Sequence, residues 1–410
     1  MINSEILPAG GLPRARDLGG QPTPWWVVVG LAMAPAVALG LARFAYALLL
    51  PPMREELGWS FAEAGAMNAA NAAGYLTGAL VAAPLGRRLG DRVVLAGGLL
   101  VTTLSIAASG LMSAFALLLV LRTIAGLAGA LAFVAGAGLA TAAAAGGSSS
   151  RAPTVLGLYF AGAGLGVAAS ALAVPPLLPE LGWRAGWLAL GGLSIVASAY
   201  AWLALRRVPE PARAASAVPG RWSPATMAWT LFSYGLFGAG YIAYATFIVA
   251  YLQGELGFGG GAVAVFWSVL GLASVVAAFA WGPLLGRLKG GWGTAATVGT
   301  VIVGAVLPLV WTTPGGAYLS AALFGGSFLA VIAAVGSFAR RTMPPHAWTA
   351  AIGTLTVAFG IGQCVGPVLS GVLSDGAEGI RAGLWPSVGI LALSAAAATL
   401  QSEPGRGSAA

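Results

Sequence analysis

Apolar runs of bilayer-crossing length recur along the chain, near residues 25–50, 61–83, 93–112, 114–144, 154–174, 185–205, 225–251, 262–282, 293–312, 317–338, 348–372 and 383–400. A membrane helix needs about 20 such residues. The pattern therefore predicts an all-α polytopic membrane protein of about twelve transmembrane helices. Breakers mark many of the ends: Pro51-Pro52, Pro84, Pro153, Pro175-Pro176, Pro283, Pro314 and Pro344-Pro345. Ser223-Pro224 reads as an N-cap followed by Pro at the first helical position. The expected layout is a polar tail (1–24), a six-helix bundle (25–205), a linker (206–224), a second six-helix bundle (225–402) and a tail (403–410). Residues 1–24 hold no apolar core, so no cleaved signal peptide is expected before the first span.

The two halves echo each other. Gly40-Leu-Ala-Arg-Phe-Ala-Tyr46 is matched by Gly238-Ala-Gly-Tyr-Ile-Ala-Tyr244, and Glu56-Leu57-Gly58-Trp59 by Glu255-Leu256-Gly257-Phe258. Gly86-Arg87 pairs with Gly286-Arg287, Gly126 with Gly326, Gly136 with Gly336, and Gly164-Leu-Gly166 with Gly360-Ile-Gly362. The matches run collinearly through five helix pairs. A parallel six-plus-six repeat is the layout of one large transporter class, whose solute binds near the midplane between the halves.

Composition narrows the function classes. The chain is 58% hydrophobic and 8% charged, against about 25% charged in a soluble domain. Its 62 glycines let membrane helices approach closely. The net charge of +8 comes from Lys and Arg scattered in short loops, without the basic stripe that nucleic acid requires. With the N-terminus inside, fifteen of the 20 Lys/Arg fall in inner segments and three in outer loops, which predicts cytoplasmic termini in a bacterial inner membrane. One Cys (Cys364) and one His (His346) exclude internal disulfides and the usual zinc site. No nucleotide-binding loop is present, so direct ATP drive is unsupported. No cofactor is expected, and the functional unit is taken as a monomer in the lipid bilayer.

Three segments carry a resemblance: GLARFAYALLLPPM at 40–53, LGWRAGW at 181–187 and AFGIGQCVGP at 358–367. They look like the YbfB/YjiJ-type branch of the major facilitator superfamily, and the likeness to the superfamily extends over essentially the whole chain. It implies two six-helix pseudo-repeats in the major facilitator fold, and transport. The superfamily's loop between helices 2 and 3 usually reads Gly-x-x-x-Asp-Arg-x-Gly-Arg-Arg. Here it reads PLGRRLGDR (84–92), with Arg87 where the family has Asp and Asp91 where it has Arg. By this resemblance Arg87, Arg88, Asp91, Arg92 and the repeat partner Arg287 are gating candidates. Arg122 in LRTIAGLAG matches the family's helix-4 Arg motif. Gly362-x-x-x-Gly366-Pro367-x-x-x-Gly371 on helix 11 is similar to the bend motif that antiporters carry on helix 5.

Two charges lie within spans, Arg43 and Arg122. Placing Arg at a bilayer centre costs about 2.5–3.5 kcal/mol on insertion scales, so each needs a cavity, a partner or a ligand. Counting from Pro51 and Ala114 puts both about 12 Å below the outer surface. All 12 carboxylates fall in loops, tails or helix ends. A bound anion would supply the missing counter-charge. The bland alternative is an Arg bonded to carbonyls at a helix break, or snorkelling outward.

Helix 2 adds a stripe of Asn68, Asn71 and Tyr75, which reads equally as interhelical glue or as site lining. Tyr46, Tyr241, Tyr244 and Gln363 complete the expected solute site. Thr349 and Thr356 share the Gln363 stripe. His346 and Cys364 read as incidental and as packing. Glu63 is the one proton-coupling candidate, although Ser60-x-x-Glu63 is also a capping box. The reading is a secondary transporter of a small organic solute, an organic anion being favoured. A proton-coupled drug or metabolite exporter is the rival, and a non-transporting sensor is remote. A membrane enzyme would need a nucleophile with its base, or a metal cluster, at membrane depth.

Overall fold

The computed structural model describes residues 23–145, 151–211, 223–344 and 347–403, apart from the side chain of Thr349. The tail 1–22, most of the linker, His346 and residues 404–410 lie outside that description. Twelve long helices make up nearly all of the rest: α1 (Trp25–Leu57), α2 (Phe61–Leu89), α3 (Asp91–Ser109), α4 (Phe115–Ala145), α5 (Ala152–Ala173), α6 (Leu178–Leu205), α7 (Ala228–Gly254), α8 (Gly260–Ala280), α9 (Trp292–Val310), α10 (Pro314–Thr342), α11 (Trp348–Ser374) and α12 (Gly379–Thr399). Eleven are long and apolar enough to cross a membrane. The other is α2, which has the length, at 29 residues, but carries Asn68, Asn71, Arg87 and Arg88. Both asparagines are buried against other helices rather than facing lipid.

Three prolines expected to end spans do not. Pro51 and Pro52 sit inside α1, which continues to Leu57 and stops at Gly58 in the left-handed region (φ 68°). Pro84 lies inside α2, whereas Pro314 marks the expected boundary by opening α10. A proline missing one donor is tolerated in a membrane helix when neighbouring helices satisfy the backbone. The span expected from 185 begins at Leu178, with a kink at Gly182 (φ 69°, ψ −177°). Ser223 accepts the N–H of Ala225 as the expected N-cap, but the cap opens a 3-10 turn, Pro224–Met227, ahead of α7.

The middle of α1 is not α-helical. Ala36–Phe44 forms a π-helix directly after Pro35, and the amide of Ala45 donates to the carbonyl of Gly40 at 3.0 Å. A π stretch fits an extra residue into the helix and is found mostly at functional sites. This one contains Arg43.

The repeat recurs in packing. On α5, a Cβ at Gly162 or Gly166 would strike the carbonyls of Ala32 and Ala36 on α1. On α11, a Cβ at Gly362 or Gly366 would strike those of Gly235 and Ala239 on α7. The structurally equivalent glycines are thus 162/166 and 362/366, a different register from the 164/166 and 360/362 pairing read from the sequence. Likewise Gly126 meets the Asn71 carbonyl and Gly325, not Gly326, meets that of Leu270. Small residues let backbones touch where lipid supplies no hydrophobic drive.

The halves meet along two seams. One joins α5 to α8, where Gly164 and Gly271 pack backbone to backbone. The other joins α2 to α11. Its close approaches run from Leu76 and Gly360 at mid-membrane to Gly65 and Pro367, then to Phe61 and Gly371 at the face opposite the chain ends.

Candidate functional site

Two of the three motif segments, LGWRAGW and GLARFAYALLLPPM, meet at the outer half of α1, while the third packs on α2 and α7. Trp183 donates its indole N–H to Glu56 at 2.9 Å, Arg184 forms an ion pair with the same carboxylate, and Trp187 donates to the sulfur of Met53 at 3.3 Å. LGWRAGW is therefore the clamp that holds the end of GLARFAYALLLPPM. Tyr46 stacks on Trp187 (centroids 6.5 Å) and donates to the carbonyl of Ala64 on α2 at 2.9 Å.

Arg122 is tied into this clamp. It is 2% exposed, its Nη1 donates to the carbonyl of Ala42 in the π stretch, and its guanidinium lies over Tyr46 (4.9 Å) and Trp187 (5.6 Å). Its own carbonyl accepts from Asn71 at 3.1 Å. The contact with Ala42 places Arg122 level with the residue beside Arg43. The counting that predicted this depth used the wrong end for α1. Measured from Leu57, Arg43 lies about 21 Å along the helix.

Arg43 points elsewhere. It is 3% exposed and its guanidinium sits over Tyr75 on α2 at 5.3 Å. It lies at the boundary between the halves: the residue after Tyr75, Leu76, packs on Gly360 of α11, and Phe44 beside Arg43 meets Phe328 of α10. Nε and Nη2 of Arg43 are buried with no hydrogen-bond partner among the described residues. Those two nitrogens form one side-on edge of the guanidinium, the geometry that a carboxylate takes in a bidentate pair. Arg122 also leaves Nε and Nη2 without a partner, but beneath two aromatic faces inside the first six helices.

Opposite Arg43 the last six helices present aromatic rings. Gln363 donates to the Tyr241 hydroxyl at 2.5 Å. Tyr241 stacks with Phe237 (4.8 Å, 14°) and Phe359 (5.7 Å, 5°), and Phe359 with Tyr234 (4.5 Å, 8°). Phe44, the neighbour of Arg43, sets its edge against Phe328 of α10 (5.4 Å, 84°). Asn68 bridges the halves by donating to Thr246 at 2.5 Å, while its carbonyl oxygen has no partner among the described residues.

Other candidates lie apart from this boundary. Tyr244 donates to Ser320 at 2.7 Å, and Ser320 passes the chain on to the Gly304 carbonyl, so Tyr244 works inside the second half. Glu63 completes its capping box with Ser60 (2.8 and 3.0 Å) and is exposed. Thr356 bonds back to the Ile352 carbonyl within α11.

On the face that carries the chain ends, Arg87, Arg88 and Arg287 are exposed. Gly90 (φ 91°) turns the chain from α2 into α3. The Asp91 carboxylate fits against Gly86 and Gly138, Arg92 donates to the Val208 carbonyl, and Glu210 caps the amides of Asp91 and Arg92 (3.1 and 3.2 Å). In the second half Glu403 repeats the device, accepting from Gly290 at 3.0 Å and pairing with Arg341 at 3.8 Å. Sequence reasoning missed both glutamates, although each precedes a proline just after the last helix of its half. It also missed Phe44, Phe359 and the π stretch, for which Pro35 in mid-span was the available signal.

The profile of the uncharacterised MFS-type transporter YbfB matches residues 35–399. This chain belongs to that family of major facilitator transporters. No curated protein matches its sequence. Among solved structures it resembles a bacterial homologue of the human lysosomal transporter Spinster in an inward-facing, unoccupied conformation, at 16% identity, over 93% of this chain and 97% of that one, with a TM-score of 0.69. It also resembles the nucleoside transporter NupG, at 14% identity, over 91% and 98%, with a TM-score of 0.68. At these identities the likeness is one of fold. The protein is a multi-pass membrane protein of a secondary-transporter family, whose members are not enzymes.

Proposed function

We propose that this transporter carries a small organic anion by alternating access, the two six-helix halves rocking about a solute held at Arg43. The observation that carries the reading is the side-on edge of Arg43, buried and unpartnered at the boundary between the halves. A buried charge without a partner costs several kcal/mol, and an anion removes that cost on binding. Tyr75 lies beneath the guanidinium, and Asn68, Tyr241 and Gln363, from helices on either side of the boundary, are proposed to complete the site. Asn71, Tyr46 and Arg122 brace the helices behind it. The Lys/Arg bias of the loops supports cytoplasmic termini in a bacterial plasma membrane, and the protein is taken to work as a monomer. The gating residues at the termini face would part and rejoin as the halves rock.

The test is counterflow of labelled organic anions and cations into proteoliposomes, with wild type and Arg43→Gln. Anion flux that Arg43→Gln abolishes supports the reading. Flux of cations or neutral solutes alone, or anion flux indifferent to Arg43, would overturn it.

A further inference from the structure

We infer that the solute is an aromatic monocarboxylate, its carboxylate on the side-on edge of Arg43 and its ring against Tyr241 and Phe359; this rests on the anion reading above. The number of charges comes first. Two arginines lie at one level, but they are not equivalent. Arg122 is spent on the Ala42 carbonyl and on the faces of Tyr46 and Trp187. Arg43 has a ring beneath it but no carbonyl and no carboxylate among the described residues, and its Nε and Nη2 are unpartnered. Both arginines leave that edge unpartnered, but Arg122 lies beneath Tyr46 and Trp187 inside the first half, so the one edge at the boundary is that of Arg43, and it suits one carboxylate. A second carboxylate on the same solute would be buried without a partner, which is costly.

The ring follows from the opposite wall. Tyr234, Phe359, Tyr241 and Phe237 lie nearly parallel, within 5–14° of one another in adjoining pairs. Phe359 and Tyr75 are half-buried, whereas the other rings of the stack are buried. Phe328 packs on Tyr241 (6.0 Å) and also meets Phe44 beside Arg43 (5.4 Å), so the wall offers its aromatic surface near that arginine. Stacked rings add attraction beyond the area they bury. Tyr241 adds a polar anchor: its oxygen accepts from Gln363, so its own proton remains for a carboxylate oxygen. A saturated ring of the same size would keep the Arg43 and Tyr241 contacts but lose the stacking.

The experiment measures equilibrium binding of radiolabelled benzoate and of cyclohexanecarboxylate to the purified full-length protein in nanodiscs. Two carboxylates of equal charge and similar size then differ only in their π face. Benzoate is expected to bind roughly fivefold tighter, the value of one aromatic pair. Phe359→Leu should remove that preference and leave cyclohexanecarboxylate affinity in place, and Arg43→Gln should abolish binding of both. Tyr241→Phe supplies a second variant should Phe359→Leu fail to fold: it retains stacking and weakens both ligands alike. Equal affinities, or a preference for the saturated ring, would overturn the aromatic assignment while the Arg43 dependence kept the anion reading alive. If neither carboxylate binds, or if both bind Arg43→Gln as well as wild type, both readings fall.

Discussion

Asp375, the residue that ends α11, accepts the amide hydrogen of Phe61, the first residue of α2, at 2.7 Å. Its second oxygen takes the amide of Ala62 at 3.0 Å. A carboxylate from the second half thus caps a helix N-terminus in the first half, at the face opposite the chain ends. At the pseudo-equivalent seam Gly260, which opens α8, packs near the carbonyl of Pro175, with no such carboxylate among the described residues. Anions at a helix N-terminus contribute about 0.3–1 kcal/mol when exposed, and this one is made only while the halves touch at that face. Opening there must break it.

Asp375→Asn should therefore populate the conformation open at that face more strongly. Cys364 is the sole cysteine, half-buried, and lies between Gly360 and Pro367 on the face of α11 that meets α2, so it reports access to the boundary. A membrane-impermeant maleimide added from that face should label it about two- to fivefold faster in the variant, matching a loss of about 0.4–1 kcal/mol. An unchanged rate would mean that the latch does not control opening.

The two arginines should separate stability from function. Arg122→Gln loses the Ala42 bond and two cation–π contacts, each worth roughly 0.5–2 kcal/mol when desolvated. It should lower the unfolding temperature in detergent. Arg43→Met replaces a buried charge that has no carboxylate partner among the described residues with an apolar chain, which removes a desolvation cost of several kcal/mol. It should leave the unfolding temperature equal or higher while abolishing anion flux. The opposite ranking would reverse the roles assigned to the pair.

Asn68 and Thr246 link the halves by one buried hydrogen bond. Bonds of this kind between membrane helices average about 0.6 kcal/mol in double-mutant cycles. Asn68→Ala and Thr246→Val together should cost less than the sum of the singles by about that amount, measured by equilibrium unfolding. Strict additivity would mean the contact is energetically silent.

Glu63 bears on coupling. Its carboxylate is exposed and engaged with Ser60, and Gln also serves at this position of a capping box, so Glu63→Gln should leave stability nearly unchanged and leave the response of flux to a collapsed pH gradient as in wild type. If the variant alone loses that response, proton coupling through Glu63 is reinstated.

Much of the fold was legible in the chain because the bilayer imposes it. Every span must be apolar for about 20 residues, or tuck its polar stripe inward as α2 does. The boundaries that prolines suggested were less secure. A helix that finds partners for its freed carbonyls runs on through Pro51 and Pro52. The inequality of the halves was less legible: the sequence aligns Arg43 with Tyr241, whereas the close packing matches Ala32 and Ala36 of α1 to Gly235 and Ala239 of α7, a different register.

The sequence by itself determined the number of spans, the internal repeat and the presence of two arginines too expensive to be idle. Composition and period carry those facts, because both are local properties of the chain. Only the tertiary structure decided which arginine is committed and which is free. That depends on a π turn after Pro35, on the clamp between LGWRAGW and α1, and on rings from α7 and α11 brought opposite Arg43. None of these leaves a periodic trace, because each is a contact between residues distant in the chain, made where backbones approach through glycine.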